Sequence, residues 1–143
     1  MTMKKVDAAD LDTLVDEIRS HATASGSPLR VVNSYIARST IPALVADDAG
    51  YYVGANDAAC KLTGFTRVEL LQRSIADVTA PRDAAVAERL WNSFVRADHQ
   101  RGTYALLRKN GTVVLVDYNA YSSVAAGIHL SFLTPSGANR DRG

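Results

Sequence analysis

The chain has 143 residues, of which 47% are hydrophobic and 22% charged, and its formal net charge is +1. This length fits one domain with a single core, and the near-neutral charge argues against binding to nucleic acid or to an acidic membrane surface. Apolar runs fall far short of the roughly 18–20 residues that cross a bilayer, and the N-terminal residues lack the pattern of a signal peptide. A single cysteine, Cys60, excludes an internal disulfide and suits the reducing cytoplasm, where we expect the protein to act.

Two amphipathic helices are predicted at the N-terminus. Residues 6–24 carry apolar side chains at three- and four-residue steps, namely Leu11, Leu14, Val15 and Ile18. Ser27 and Pro28 then begin a second helix that runs to about Arg38. We expect residues 1–38 to be a helical extension that covers an apolar surface, either on this chain or on another copy of it.

The next segment predicts a hairpin followed by capped helices. Two short strands, with a turn at Asp47–Gly50, account for residues 43–55. Asn56 is placed to cap a helix that Gly64 ends, and Thr66 with Glu69 forms a capping box for the next one.

The remainder predicts one long helix and three strands. Pro81 opens the helix at 82–97. The strands are predicted at 104–108, 112–121 and 128–133, with the turn Asn110-Gly111 between the first two, a loop at 122–127, and a disordered tail at 136–143. The order β-β-α-α-α-α-β-β-β predicts an α+β fold with an antiparallel sheet.

Several phrases in this order resemble those of PAS domains. They are Asp48-Ala49-Gly50, Asn56 with Ala58-Ala59, Leu62-Thr63-Gly64-Phe65, the segment Ile75–Asp83 ending in Pro81-Arg82-Asp83, and Arg108-Lys109-Asn110-Gly111. The resemblance covers about residues 38–135 and identifies a PAS domain at 39–135. It implies a five-stranded antiparallel sheet with helices on one face, a pocket between them in many members, and a sensory or dimerising role. One departure is Leu133-Thr134-Pro135, because proline there argues against a rigid C-terminal signalling helix.

Strand alternation separates two faces of the sheet, and the resemblance suggests which face is the inner one. The candidate ligand-binding residues on the inner side are Trp91, Tyr104, Leu106, Tyr118, Ala120, His129 and Ser131. His129 is placed to bind a ligand oxygen or to titrate near neutral pH, or it is only a satisfied structural histidine. The aromatic rings either line a cavity or fill it. A one-residue shift in the last strand would exchange His129 and Ser131 with Leu130 and Phe132.

The opposite face is too apolar to lie open to solvent. We expect it to form a homodimer interface with the first helix, through Leu11, Leu14, Val15, Ile18, Leu107, Val113, Leu115, Ile128, Leu130 and Phe132. Ala105 belongs to the same face.

We expect neither haem nor a flavin of the LOV type, and the cofactor, if any, stays unknown. The family's oxygen-sensing route uses a histidine on the long helix, and 82–97 contains none. LOV domains carry a cysteine where this chain has Leu71-Gln72-Arg73, whereas Cys60 lies on the first core helix. Scattered histidines predict no metal site.

The sequence carries no enzyme signature, so we expect a sensor or interaction module in signal transduction. It would bind a small organic ligand, form a homodimer and act on a separate protein such as a kinase or regulator, without nucleic-acid or membrane partners. One alternative is a structural dimerisation module with a filled core. Another is a small enzyme of the ketosteroid-isomerase kind, although Asp117 has the wrong strand parity for an inward acid.

Overall fold

The computed structural model describes residues 8–136. Within them lie the α-helices α1 Ala8–Ala24, α2 Pro28–Ala37, α3 Asp57–Thr63, α4 Arg67–Leu70 and α5 Ala84–Phe94, with single turns of 3-10 helix at Ile75–Val78 and Pro81–Asp83. The strands are β1 Ala43–Ala46, β2 Tyr52–Ala55, β3 His99–Leu107, β4 Val113–Ala125 and β5 Ile128–Pro135. The predicted α+β order is confirmed. None of these helices is both long and apolar enough to span a bilayer.

The five strands form one antiparallel sheet in the spatial order β2-β1-β5-β4-β3. The first hairpin supplies two neighbouring strands, and the last third of the chain forms a meander that returns β5 to the side of β1. Ala46 is thereby paired with His129, and Ala120 with Ser131. This register brings the β1–β2 turn next to His129.

The outer face of the sheet is covered by α1 and α2 of the same chain. Val15 is 1% exposed and Ile18 0%, because the predicted stripe of α1 turns toward the sheet, and α2 adds Val32 and Ile36. These side chains pack in one cluster with residues of β1, β4 and β5, including Val45, Tyr121, Val124, Ile128, Leu130 and Phe132. For this part of the sheet, the cover that the apolar face requires is thus supplied within the chain.

The inner face packs against the helices that follow the first hairpin. Here a second cluster unites β1 and β2 with α3, α4 and the ends of β3, β4 and β5, and it contains Leu44, Ala59, Phe65, Leu70, Val78, Leu106, Val116 and Leu133. The sheet is therefore the middle layer between two separate cores.

The side chain of Asn56 connects helices that lie on the two faces of the sheet. Its predicted capping bond is confirmed, since Oδ1 accepts from the backbone N–H of Ala59 at 2.9 Å. The same oxygen accepts from the N–H of Ala43 at 3.0 Å, and the side-chain amide donates to the carbonyls of Ile36 and Ile41 at 3.0 and 2.8 Å. An asparagine side chain that is 1% exposed has thus filled its hydrogen-bonding positions and ties α2 and β1 to α3.

Two more local predictions are confirmed. Gly64 ends α3 in the left-handed region at φ 80°, and its N–H donates to the carbonyl of Cys60. At the start of α4, Thr66 and Glu69 form the reciprocal bonds of a capping box.

The last strands extend beyond their predicted ends. β3 begins at His99 rather than at residue 104, and β4 runs to Ala125, so most of the loop expected at 122–127 is strand. The pairing of β4 with β5 shifts register between Tyr121 and Ala125, and Ser123 there has φ 50°. Such an irregularity bends a strand without ending it, so the chain continues as a strand where a loop was predicted.

Two other boundaries also differ from the predictions. Helix α5 spans Ala84–Phe94 rather than 82–97, because Pro81–Asp83 forms a 3-10 turn first. The expected disordered tail lies outside the described residues except for Ser136, which is 8% exposed and donates its N–H to the Leu115 carbonyl at 2.9 Å. Ser136 is therefore bound to the backbone of β4, directly after the end of β5.

Candidate functional site

A cavity of about 190 Å³ lies between α5 and the inner face of the sheet. Its helical wall is the apolar side of α5, where Val86 and Leu90 remain 45% and 36% exposed. The rest of the wall comes from the sheet and the 3-10 turns, and includes Leu44, Tyr52, Ile75, Thr79, Asp83 and Gln100. The aromatic rings therefore leave open space, and the predicted alternative of a completely filled core is not the arrangement found.

Most of the predicted ligand-binding residues border this cavity. The structure places Trp91, Tyr104, Tyr118, Ala120, His129 and Ser131 on its wall. Leu106 lies on the same face but in the inner core, where it is 0% exposed. Phe132 packs in the outer core, so the one-residue exchange considered for the last strand does not occur, although Leu130 also touches the cavity. Ligand binding by this set stays a prediction.

Sequence reasoning missed several wall residues. Tyr52 lies on β2, opposite the helical wall, and the alternation of the first hairpin could have identified it as inward-facing. Leu90 could have been found from the apolar stripe of α5. Gln100 has the same strand parity as Tyr104, but it lies before the predicted start of that strand at residue 104. Asp83 carries no such signal, because its approach depends on how the 3-10 turn Pro81–Asp83 folds over the sheet.

His129 is held by two hydrogen bonds from opposite directions. The backbone N–H of Ser123 donates to Nδ1 at 2.9 Å, and Nε2 lies 2.7 Å from Oδ1 of Asp48. Because Nδ1 is an acceptor, the ring proton resides on Nε2 and is donated to the carboxylate. His129 is 2% exposed, whereas the side chain of Asp48 is 77% exposed. Both ring nitrogens are therefore occupied, and a ligand in the cavity meets the ring of His129 and not a free nitrogen.

Trp91 connects α5 to the same site. Its indole Nε1–H donates to the carbonyl of Asp48 at 3.2 Å, and its ring meets the imidazole of His129 edge-on with centroids 5.5 Å apart. Phe94, one turn along α5, contacts His129 at a centroid distance of 5.6 Å. The helix that forms one wall of the cavity is thus attached to His129 and to the β1–β2 turn.

The irregular segment of β4 next to His129, residues 121–125, also contacts α1. Arg19 donates through Nη2 to the carbonyl of Ser122 at 3.1 Å, and the N–H of Ser122 donates to the carbonyl of Asp98 at 3.2 Å. Tyr121 donates to Oδ1 of Asp12 at 2.7 Å. A continuous set of contacts therefore runs from the cavity wall through His129 and Ser122-Ser123 to the first helix.

Burial governs the ionisation of the tyrosines here. Desolvation raises the pKa of Tyr104 above its ordinary value, and the neighbouring Tyr118 raises it further. The pKa of Tyr52 is raised for the same reason, with an added contribution from Tyr104. Both phenols therefore carry their protons at any physiological pH.

The predicted dimer-interface residues divide into two groups. Six of them are buried inside the chain, between the N-terminal helices and the sheet: Leu11, Val15, Ile18, Ile128, Leu130 and Phe132. They can reach a second copy only if these helices leave the sheet. The other four, Leu14, Leu107, Val113 and Leu115, are half-buried or exposed, and Val113 is 48% exposed.

Residues 8–136 contain no group of three metal-ligating side chains. Cys60 is half-buried on α3, away from the cavity wall, and burial raises the pKa of its thiol. Asp117 accepts a hydrogen bond from Thr103 at 2.6 Å and is not among the residues that line the cavity.

Comparison with known proteins points to one family. A family model described as the PAS fold matches residues 30–133. Comparison with curated proteins gives no match.

Solved structures share the fold at low identity. A domain of a sensory box sensor histidine kinase/response regulator from Geobacter sulfurreducens is 20% identical with a TM-score of 0.64, over 73% of this chain and 90% of that one. The PAS domain of a protein from Colwellia psychrerythraea is 14% identical with a TM-score of 0.66, over 77% and 98% of the two chains. The LOV protein of Rhodobacter sphaeroides is 13% identical with a TM-score of 0.62, over 91% and 70%.

Proposed function

This chain belongs to the PAS fold family, and from that premise we propose that it is a sensory module whose cavity binds a small organic ligand. The family supports a role in signalling, and the neighbours include a domain of a sensor kinase. We propose that ligand binding alters the attachment of the N-terminal helices, and that the protein catalyses no reaction itself.

The observation that carries this proposal is the incomplete packing of α5. Val86 and Leu90 are 45% and 36% exposed, yet both border the cavity. Apolar side chains at such a half-open wall favour an apolar occupant, because its binding removes their surface from water. A ligand seated there would also touch Trp91 and thereby draw α5 toward the sheet.

The path for a signal would start at His129. A shift of Trp91 or Phe94 acts on the imidazole that they contact. The imidazole accepts a hydrogen bond from the N–H of Ser123, and the carbonyl of the neighbouring Ser122 accepts one from Arg19 of α1. If α1 can pack on the sheet in two arrangements, an occupant of the cavity would shift the population of these arrangements. Such a two-state element can transmit a signal.

The output would reach another protein. We propose a homodimer that uses the part of the outer face left open by α1 and α2, namely Leu107, Val113 and Leu115 with Leu14 of the helix. A kinase or regulator in the cytoplasm would read the position of the helices. Nucleic acid and membranes are not among the proposed partners, in keeping with the net charge of +1.

Native mass spectrometry of the purified protein tests the ligand. Co-purified small molecules should appear as added mass, and Ala87→Leu should remove that mass because Ala87 borders the cavity. Ala85→Leu is the matched control, since Ala85 is exposed on the same helix and does not border the cavity. Equal retention of the small molecule by both variants would place it elsewhere and contradict the proposal.

A further inference from the structure

The polar groups of the cavity wall are mostly satisfied within the chain. The hydroxyl of Tyr118 donates to Oε1 of Gln100 at 3.1 Å, and Nε2 of Gln100 donates to the carbonyl of Leu90 at 3.2 Å. Thr79 donates to the carbonyl of Ile75 at 2.8 Å. Such groups need no partner from a ligand, so they do not select one.

Two phenol hydroxyls on the wall are different. Among residues 8–136, neither Tyr52 nor Tyr104 has a hydrogen-bond partner for its hydroxyl, although Tyr52 is only 4% exposed. A tyrosine hydroxyl that has no partner within the chain is available to donate to a molecule in the cavity that its residue lines. The smaller hydroxyl of Ser131, half-buried on the same wall, likewise has no partner within the described part of the chain. Donors without a partner on the cavity wall indicate where a ligand oxygen would sit.

The charges around the cavity exclude an anion. No lysine or arginine is among the wall residues. The carboxylate on the wall is that of Asp83, which accepts the backbone N–H of Ala105 at 3.0 Å. Both nitrogens of His129 are occupied by Ser123 and Asp48. A carboxylate or phosphate ligand would therefore be desolvated without a counter-charge, close to a negative group.

The volume of the cavity accommodates one ring. An engineered protein cavity of about 150 Å³ accepts benzene. The cavity here measures about 190 Å³, which leaves room for a six-membered ring with a short substituent.

We propose that the cavity binds an uncharged single-ring compound that bears a carbonyl or hydroxyl oxygen, with this oxygen against the hydroxyls of Tyr52 and Tyr104 and the ring against Leu90 and Trp91. The proposal rests on the proposed function, since it names the ligand class of the same cavity. A neutral oxygen accepts the two O–H donors, and the ring covers the exposed apolar side of α5.

Three probes of nearly equal shape test this assignment. Acetophenone carries the neutral oxygen, ethylbenzene lacks it, and benzoate replaces it with a charge. Binding is followed by NMR at the indole N–H of Trp91, which is the only tryptophan in the chain and borders the cavity. We expect acetophenone to bind most tightly, ethylbenzene about tenfold more weakly, and benzoate not at all.

Phenylalanine variants test the two hydroxyls while keeping the rings. Tyr52→Phe and Tyr104→Phe should each weaken acetophenone binding by about three- to tenfold and leave ethylbenzene unchanged. Tyr121→Phe is the control and should alter neither, because the hydroxyl of Tyr121 bonds to Asp12 on the outer face.

The outcomes separate the two proposals. If ethylbenzene binds as well as acetophenone, if benzoate competes, or if the two variants retain full affinity for acetophenone, the ligand class is wrong while the cavity remains a binding site. If none of the three probes shifts the Trp91 resonance, both the ligand class and the proposed function are overturned.

Discussion

The imidazole of His129 and the carboxylate of Asp48 lie 2.7 Å apart and join the last strand to the turn of the first hairpin. The pair is unequal, because His129 is 2% exposed and the side chain of Asp48 is 77% exposed. On its other side the same ring accepts the N–H of Ser123. His129 therefore holds the β4 irregularity in place, whereas Asp48 is a solvated partner that orients the ring.

This inequality predicts unequal losses of stability. His129→Phe keeps a ring but leaves the N–H of Ser123 without its acceptor, and we expect the free energy of unfolding to fall by about 1–3 kcal/mol. Asp48→Ala removes only an exposed partner and should cost less than about 1 kcal/mol. Urea unfolding followed by circular dichroism measures both. Losses of equal size would contradict the central position assigned to the imidazole.

The docking of α2 predicts an effect at a glycine in β2. A Cβ at Gly54 would lie 1.9 Å from Oδ1 of Asn33 on α2 and 3.1 Å from Cγ2 of Val45. Gly54→Ala must therefore displace the side chain of Asn33 and crowd Val45, and we expect the free energy of unfolding to fall by about 1–3 kcal/mol. Gly26→Ala is the control, since nothing lies within 4 Å of its Cβ position.

Thermal melts of the two alanine variants, with limited proteolysis between α2 and β1, measure this difference. A Gly54→Ala protein that melts with the wild type and resists cleavage would show that the close approach of α2 contributes little.

Local signals in the sequence were sufficient for much of the fold. Asn56, Gly64 and the pair Thr66–Glu69 act through neighbours within a few residues, so their caps could be predicted. The end of β4 could not, because Ser122 and Ser123 are held in the sheet by Arg19 and His129, which are distant in sequence.

The pair Glu69–Lys109 predicts an acid-dependent contribution to stability. The hydrogen bond from Lys109, 2.8 Å long, and that from the backbone of Thr66 lower the pKa of Glu69 from 4.5 to about 2. Because the folded-state pKa is depressed, the stabilisation is fully present above pH 4.5 and is lost as the pH falls toward 2.

Unfolding by urea at a series of pH values between 2 and 6 checks this sign. Glu69→Gln should lose less stability than the wild type across the acid range. Glu88→Gln, a change at an exposed position of α5, should follow the wild type. Parallel curves for wild type and Glu69→Gln would exclude this contribution.

The open part of the outer face predicts the effect of a charge on assembly. Val113 is 48% exposed at the start of β4, within the proposed dimer interface. Val113→Lys should convert a dimer, of twice the 15.4 kDa chain mass, to a monomer because it desolvates a charge at the contact. Val68→Lys on α4 is the control, since Val68 is 68% exposed and far from that face in the fold.

Sedimentation equilibrium of wild type and both variants gives the masses. A wild-type monomer at all concentrations, or a dimer that survives Val113→Lys, would overturn the proposed interface.

The site was less predictable than the fold. Alternation along β3 and β4 identified Tyr104, Tyr118 and Ala120 as inward-facing, and they border the cavity. Alternation shows on which face of the sheet a side chain lies, but it does not show whether that side chain borders the cavity or packs in the inner core. Leu106 was therefore grouped with the wall residues, although it lies in the inner core. The approach of Asp83 depends on a 3-10 turn that the sequence suggested only as the start of a helix.

We propose that an occupant of the cavity acts on α1 through His129. Amide hydrogen exchange with and without saturating acetophenone tests it most directly. We expect exchange to change at the cavity wall, at Ser122-Ser123 and along α1, and we expect His129→Phe to abolish the change in α1 while keeping that at the wall. A change confined to the cavity wall in the wild-type protein would contradict the claim.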